Sequence, residues 1–254
     1  MTNNNLRNFI FNQPNNLNSF KITSKKCALN IKNFVFNQSA GSASKIIQNT
    51  ISVDMFSQWE SFVTDIVGEL SKDGIDTTGW ELDHLAYRVE SMEEYSTVCN
   101  SLINSIDGKQ PLGICLGVVQ IGGRPISTIH LINPLVHPLG YTISCIEIPS
   151  PKEGSHYASG FEHAEFVIGP SMGVPTEIPE EYLGTEKPVL EQFIQKYPEL
   201  TFDTRAIDKE LNADVSKSYT RIINGKETKM SAKFHLRPLY TVVAFENILA
   251  QNKH

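Results

Sequence analysis

The period of the apolar positions changes along the chain. Phe56, Trp59, Val63, Ile66, Val67 and Leu70 recur at helical spacing, which predicts a helix with one apolar stripe, capped by Asp54 and stopped at Gly74. Residues 82–89 are short, strand-forming and predict a first strand. Ser91-Met92-Glu93-Glu94 has the form of a capping box, and predicts a helix to about Ile106 that buries Tyr95, Val98, Leu102 and Ile103. Apolar runs near Cys115–Ile121 and Ile126–Ile132 flank Gly122-Gly123, a hairpin signal. A proline-rich loop over 133–140 and a strand over Tyr141–Ile148 follow, so the order is β-α-β-β-β.

The order then recurs. Phe161–Ile168 alternates as a strand does, with His163, Glu165 and Val167 on one face and Glu162, Ala164, Phe166 and Ile168 on the other. A helix is expected near Thr185–Lys196 and a weakly written strand near Phe202–Ala206. Tyr219–Ile223 and Met230–His235 flank Asn224-Gly225, a strong two-residue turn. A last helix after Pro238 is expected to bury Leu239, Val242, Val243, Phe245 and Leu249. The fold class is α+β: two paired βαβββ modules, about 82–148 and 161–236, forming a curved, mostly antiparallel sheet around a cleft, with an added N-terminal helix and a C-terminal helix. Residues 54–254 are expected to form one domain.

Composition changes this picture at the N-terminus. The 254-residue chain has a net charge of −6, yet residues 1–53 carry Arg7, Lys21, Lys25, Lys26, Lys32 and Lys45 and no acid. The leader is rich in Asn and reads as disordered, and its basic, acid-free character is that of a mitochondrial transit peptide; the alternative location is cytoplasmic. The remainder is acidic, which argues against nucleic acid and anionic membranes as partners and leaves a small molecule. Cys27, Cys99, Cys115 and Cys145 form no C-x-x-C pair, so they read as buried thiols of an intracellular protein rather than zinc ligands.

Candidate chemistry gathers on four of the strands. His84, Glu147, His163 and His235 offer three imidazoles and a carboxylate, a set that suits a divalent ion such as zinc, iron(II), manganese, nickel or cobalt. Glu147 sits in an apolar strand where a carboxylate needs a partner. Glu165 is placed to orient a ligand or act as a general base. Arg88, on the face of His84, and Arg124, after the hairpin turn, are candidates to clamp a substrate oxygen. Each histidine taken singly also reads as a satisfied core residue. Nucleotide, dinucleotide and common hydrolase motifs are absent.

Asp83-His84-Leu85-Ala86-Tyr87-Arg88, Gly123-Arg124-Pro125-Ile126, Ile146-Glu147-Ile148-Pro149, Glu162-His163-Ala164-Glu165 and Lys233-Phe234-His235 stand in an order that resembles the bacterial YecM proteins, over roughly residues 54–250. That family is similar to the vicinal oxygen chelate superfamily, which includes glyoxalase I and extradiol dioxygenases. The resemblance implies paired βαβββ modules with a metal held by the first and fourth strand of each, hence His84, Glu147, His163 and His235. It implies a metal-dependent isomerase, lyase or oxygenase acting on an oxygen-chelating small molecule, or a non-catalytic module that binds or sequesters one. The sequence departs from the family pattern after His235, where Leu236-Arg237-Pro238 replaces an immediate proline.

Overall fold

The structure is a computed structural model that describes residues 57–104, 110–154, 158–168, 186–223 and 225–243. The leader, Asp54, Phe56, Ile106, Phe245 and Leu249 lie outside these residues, as does the expected targeting segment. No helix among the described residues is long and apolar enough to cross a membrane.

Helix α1, Trp59–Lys72, buries Trp59, Phe62, Val63, Ile66 and Leu70. Each such side chain contributes about 1.5–3 kcal/mol when fully removed from water. The helix ends where the sequence predicts. Gly74 has φ +75°, and Gly74 and Ile75 donate their amides to the Ser71 and Leu70 carbonyls at 3.0 and 2.9 Å. That is a Schellman closure, which needs a residue free to adopt the left-handed conformation. Strand β1 is Glu81–Arg88. Helix α2, Met92–Ile103, starts at Ser91, whose Oγ accepts the Glu94 amide at 3.0 Å. The Glu94 carboxylate reaches back to the amide of Glu90 rather than Ser91.

Strands β2, Gly113–Ile121, and β3, Arg124–Val136, form the expected hairpin. β3 outruns its expected end and absorbs Pro134 where its register against the next strand shifts, between His130 and Leu135. A proline has no amide for the ladder, and an irregularity of this kind tolerates it. Strand β4 is Thr142–Pro149 and strand β5 is Gly160–Val167. Helix α3, Glu186–Gln195, is followed by β6, Val215–Ile223, and β7, Lys226–His235. A short helix α4 is described over 239–243. The weak strand expected near Phe202–Ala206 is reduced to one bridge, Asp203 to Ser216. Asp203 turns its carboxylate to the Arg205 guanidinium and amide, a local bond that competes with a ladder.

The seven strands form one mixed sheet in the order β2-β3-β4-β1-β5-β7-β6. β1 and β4 are parallel, as are β5 and β7, while β1 and β5 meet antiparallel at the centre. The order β3-β4-β1 recurs as β6-β7-β5, so the halves join along one seam, but the second half has no strand equivalent to β2 and is βαββ where the sequence predicts βαβββ. On one side of the sheet Leu85, Ile146, Ile148, Ala164, Phe166, Ala232 and Phe234 enter the main core with α1, α2 and α3. On the other side α4 packs Leu239 and Val243 against Leu116 and Cys145. Cys99 and Cys145 are free and buried, and Cys27 lies outside the described residues.

Candidate metal centre

The seam places the candidate ligands. Along β1 and β5, Ala86 pairs with His163 and His84 with Glu165. A two-fold axis between the strands thus exchanges His84 with His163 and Ala86 with Glu165. On the flanks, Glu147 is level with Ala86 and Lys233 is level with Glu165. The position equivalent to Glu147 is therefore Lys233. His235 stands two residues further along, level with Val167.

Both central strands carry an irregularity beside their histidine. The register shifts between Leu82 and His84, so Asp83 is an extra residue, and between Ala86 and Tyr87, where Glu162 is the extra residue opposite. An extra residue in one strand reverses the parity of what precedes it. Leu82 joins the helix-side core, as does Phe161, although each lies two residues from a histidine that faces the other way. Each extra residue is an acid that stays beside the next histidine. Asp83 Oδ2 accepts His84 Nδ1–H at 2.9 Å, and Glu162 Oε2 lies 3.9 Å from His163 Nδ1. Strict alternation assigned Glu162 to the opposite face from His163; the bulge brings it back to Arg88 and His163.

His84, Glu147 and His163 come together. Each offers one ligand atom, and these atoms lie within 4.8 Å of one another. The ring centroids of His84 and His163 are 6.1 Å apart. Asp83 holds a proton of His84 on Nδ1 and turns Nε2 inward. Nε2 of His84 and Nε2 of His163 are buried and have no hydrogen-bond partner among the described residues. Two inward-facing imidazole Nε2 atoms beside a carboxylate fit a divalent transition-metal ion, whose binding displaces any proton they carry.

Further charges complete the cluster. Glu165 Oε1 is 3.4 Å from His84 Nε2, 3.2 Å from His163 Nε2 and 2.6 Å from Lys233 Nζ. His163 Nε2 is 3.6 Å from Glu147 Oε2. Burial alone pushes the Glu165 carboxyl up, but the charges of Lys233 and His84 outweigh it and hold the group well below the usual carboxylate range. Glu147 is lowered against burial in the same way, by the neighbouring His163 and the charge of His84. Burial pulls His84 down, and the carboxylates of Glu165 and Asp83 outweigh that and hold it well above the usual histidine value.

His235 is fully buried and shares the neighbourhood without joining the three-residue group. Its Nδ1 is 3.0 Å from Asn212 Oδ1, and its Nε2 is 3.6 Å from Asp83 Oδ2 and 3.9 Å from Glu165 Oε2. Asn212 holds φ +55°, a conformation that asparagine tolerates better than most residues. Arg88 is ion-paired with Glu162. Arg124 donates from Nη1 to the Ser150 carbonyl at 2.7 Å, tying the start of β3 to the end of β4. Sequence reasoning passed over Asp83, Glu162 and Lys233 as site residues. An acid immediately before each histidine was the available signal for the first two.

Fold and cluster define an α+β protein in which a βαβββ half and a shorter βαββ half share one mixed sheet, with histidines and carboxylates astride the seam. Within that class, residues 52–246 match the model of the YecM protein family, and the chain belongs to it. A solved structure described as "Structural Genomics, Protein EC4020" is 22% identical with a TM-score of 0.51, covering 76% of this chain and 92% of that one; it shows the fold. A mutant 4-hydroxymandelate synthase from Streptomyces coelicolor is 13% identical with a TM-score of 0.26, covering 66% of this chain and 54% of that one. A xylose isomerase-like TIM barrel/4-hydroxyphenylpyruvate dioxygenase fusion protein is 14% identical with a TM-score of 0.26, covering 60% and 25%. At those scores neither likeness carries an argument. No curated protein matches the chain.

Proposed function

We propose that this protein binds a divalent metal ion through His84, Glu147 and His163, and uses it to take up a small molecule bearing adjacent oxygens. The observation that carries the reading is the convergence of two buried imidazole nitrogens, each lacking a hydrogen-bond partner, with a carboxylate. Two histidines and one carboxylate leave coordination positions open, and a bound ion supplies Lewis acidity toward substrate oxygens. In that setting Asp83 orients the His84 imidazole through Nδ1, Glu162 stands 3.9 Å from His163 Nδ1, and α4 shields part of the site face from water.

The reaction classes that suit such a site are isomerisation, lyase chemistry and oxygenation. Metal analysis of untagged protein, with titration by zinc and cobalt(II), tests the ion. Turnover on a panel of 2-oxo acids, hemithioacetals and catechols tests the chemistry. Binding at stoichiometry near one with no turnover of any panel member selects the second reading, a module that sequesters its ligand. One observation favours that reading: the Glu165 carboxylate is engaged by Lys233 at 2.6 Å instead of standing ready as a base.

A further inference from the structure

The two halves place their charged groups differently. In the first half the seam strand carries Ala86 and the flanking strand carries Glu147; in the second the seam strand carries Glu165 and the flanking strand carries Lys233. The flanking position that would mirror Glu147 thus holds an ammonium, which cannot ligate while protonated. Lys233 Nζ instead lies 2.6 Å from Glu165 Oε1. The carboxylate missing from β7 stands one strand inward, at Glu165.

Its geometry is that of a ligand. Atoms that share an ion through bonds of about 2.0–2.2 Å sit about 3–3.5 Å from one another. Glu165 Oε1 meets this against both histidines, at 3.4 Å from His84 Nε2 and 3.2 Å from His163 Nε2. The same oxygen accepts from Lys233 Nζ at 2.6 Å, and a carboxylate oxygen has two lone pairs, one for each partner. His235 Nε2, also without a hydrogen-bond partner, lies 3.6 Å from Asp83 Oδ2 and 3.9 Å from Glu165 Oε2, the Glu165 oxygen other than the one that meets His84 and His163.

We propose that Glu165 is the fourth metal ligand, that Lys233 is its fixed counter-charge, and that His235 braces Asp83 rather than ligating. This rests on the metal reading above. It makes a site of two imidazoles and two carboxylates, with the ammonium offsetting one negative charge.

The test is cobalt(II) titration of the full chain, reading both affinity and the visible absorption band, whose shape reports coordination. Affinity alone does not decide, because losing a residue that merely orients a ligand also costs about 10–100-fold. Glu165→Gln is expected to weaken binding at least ~10-fold and to alter the band, as Glu147→Gln does. His235→Ala is expected to leave the band shape unchanged. If Glu165→Gln does not fold, as judged by near-ultraviolet circular dichroism, Glu165→Asp, which withdraws the carboxylate by one methylene, is read instead. An unchanged band in the folded Glu165 variant, or a changed band in His235→Ala, overturns the ligand assignment while leaving the metal reading in place. A wild-type chain that takes up no cobalt or zinc overturns both.

Discussion

Asp83 and His84 are chain neighbours whose side chains meet on one side of the sheet, with Asp83 Oδ2 accepting His84 Nδ1–H at 2.9 Å. A regular strand sends successive side chains to opposite faces, and only the extra residue at Asp83 permits the contact. The same oxygen accepts the Leu239 amide at 2.8 Å, so it also holds the start of α4.

Asp83 is therefore expected to act on the metal without touching it. Asp83→Asn lets the ring flip its proton to Nε2, the nitrogen that must bind. Zinc affinity should fall about 10–100-fold while far-ultraviolet circular dichroism is retained. Equal affinity in the two proteins, measured by competition with a chelating dye, refutes the role.

A bound ion should stabilise the fold by linkage. At a hundredfold excess over its dissociation constant the gain is about 2.7 kcal/mol. The melting temperature of the wild type should rise on adding zinc, whereas that of His84→Ala and His163→Ala should not. Comparing each variant with and without metal separates lost binding from the cost of the substitution itself. A zinc-dependent rise that survives both substitutions places the ion elsewhere.

Gly113 is expected to resist substitution. A Cβ there would meet Ile129 Cγ2 at 2.6 Å and the His130 carbonyl oxygen at 2.7 Å, and the second is backbone that cannot swing aside. Gly113→Ala should cost about 1–3 kcal/mol in urea unfolding, the range for overpacking. An unchanged midpoint means that β2 and β3 separate more easily than their ladder implies.

Residues 1–50 are expected to be dispensable for folding, since polar, Asn-rich, acid-free sequence buries too little apolar area to offset its ordering entropy. A chain beginning at Val53 should melt cooperatively at the wild-type temperature. Precipitation, or a broad non-cooperative melt, makes the leader part of the fold. Fusion of the leader to a reporter tests mitochondrial delivery separately.

Much of the fold was legible because period and punctuation are local. Gly74, Ser91 and Gly122-Gly123 each act within a few residues, and each sits where the sequence placed it. His84, Glu147 and His163 were legible because a polar side chain in an apolar strand needs a partner. The match of Glu147 to Lys233 was not legible, because level along a sheet is set by ladder pairing while spacing along the chain is set by loops. His235 looked like the fourth-strand counterpart by counting, and the β5–β7 register puts Lys233 there instead. The bulges at Asp83 and Glu162 were invisible for a related reason: an extra residue changes facing without changing composition.

The axis between β1 and β5 has one further consequence. It relates two histidines to each other, but it relates the Ala86–Glu147 pair to the Glu165–Lys233 pair. Chemical symmetry therefore fails across the seam, with a carboxylate on one outer strand and an ammonium on the other. A molecule lying over the centre meets a field with a direction, so its more electron-rich end is drawn toward β7. Two like halves, joined back to back, thus make a handed environment that can tell one end or one face of a small substrate from the other.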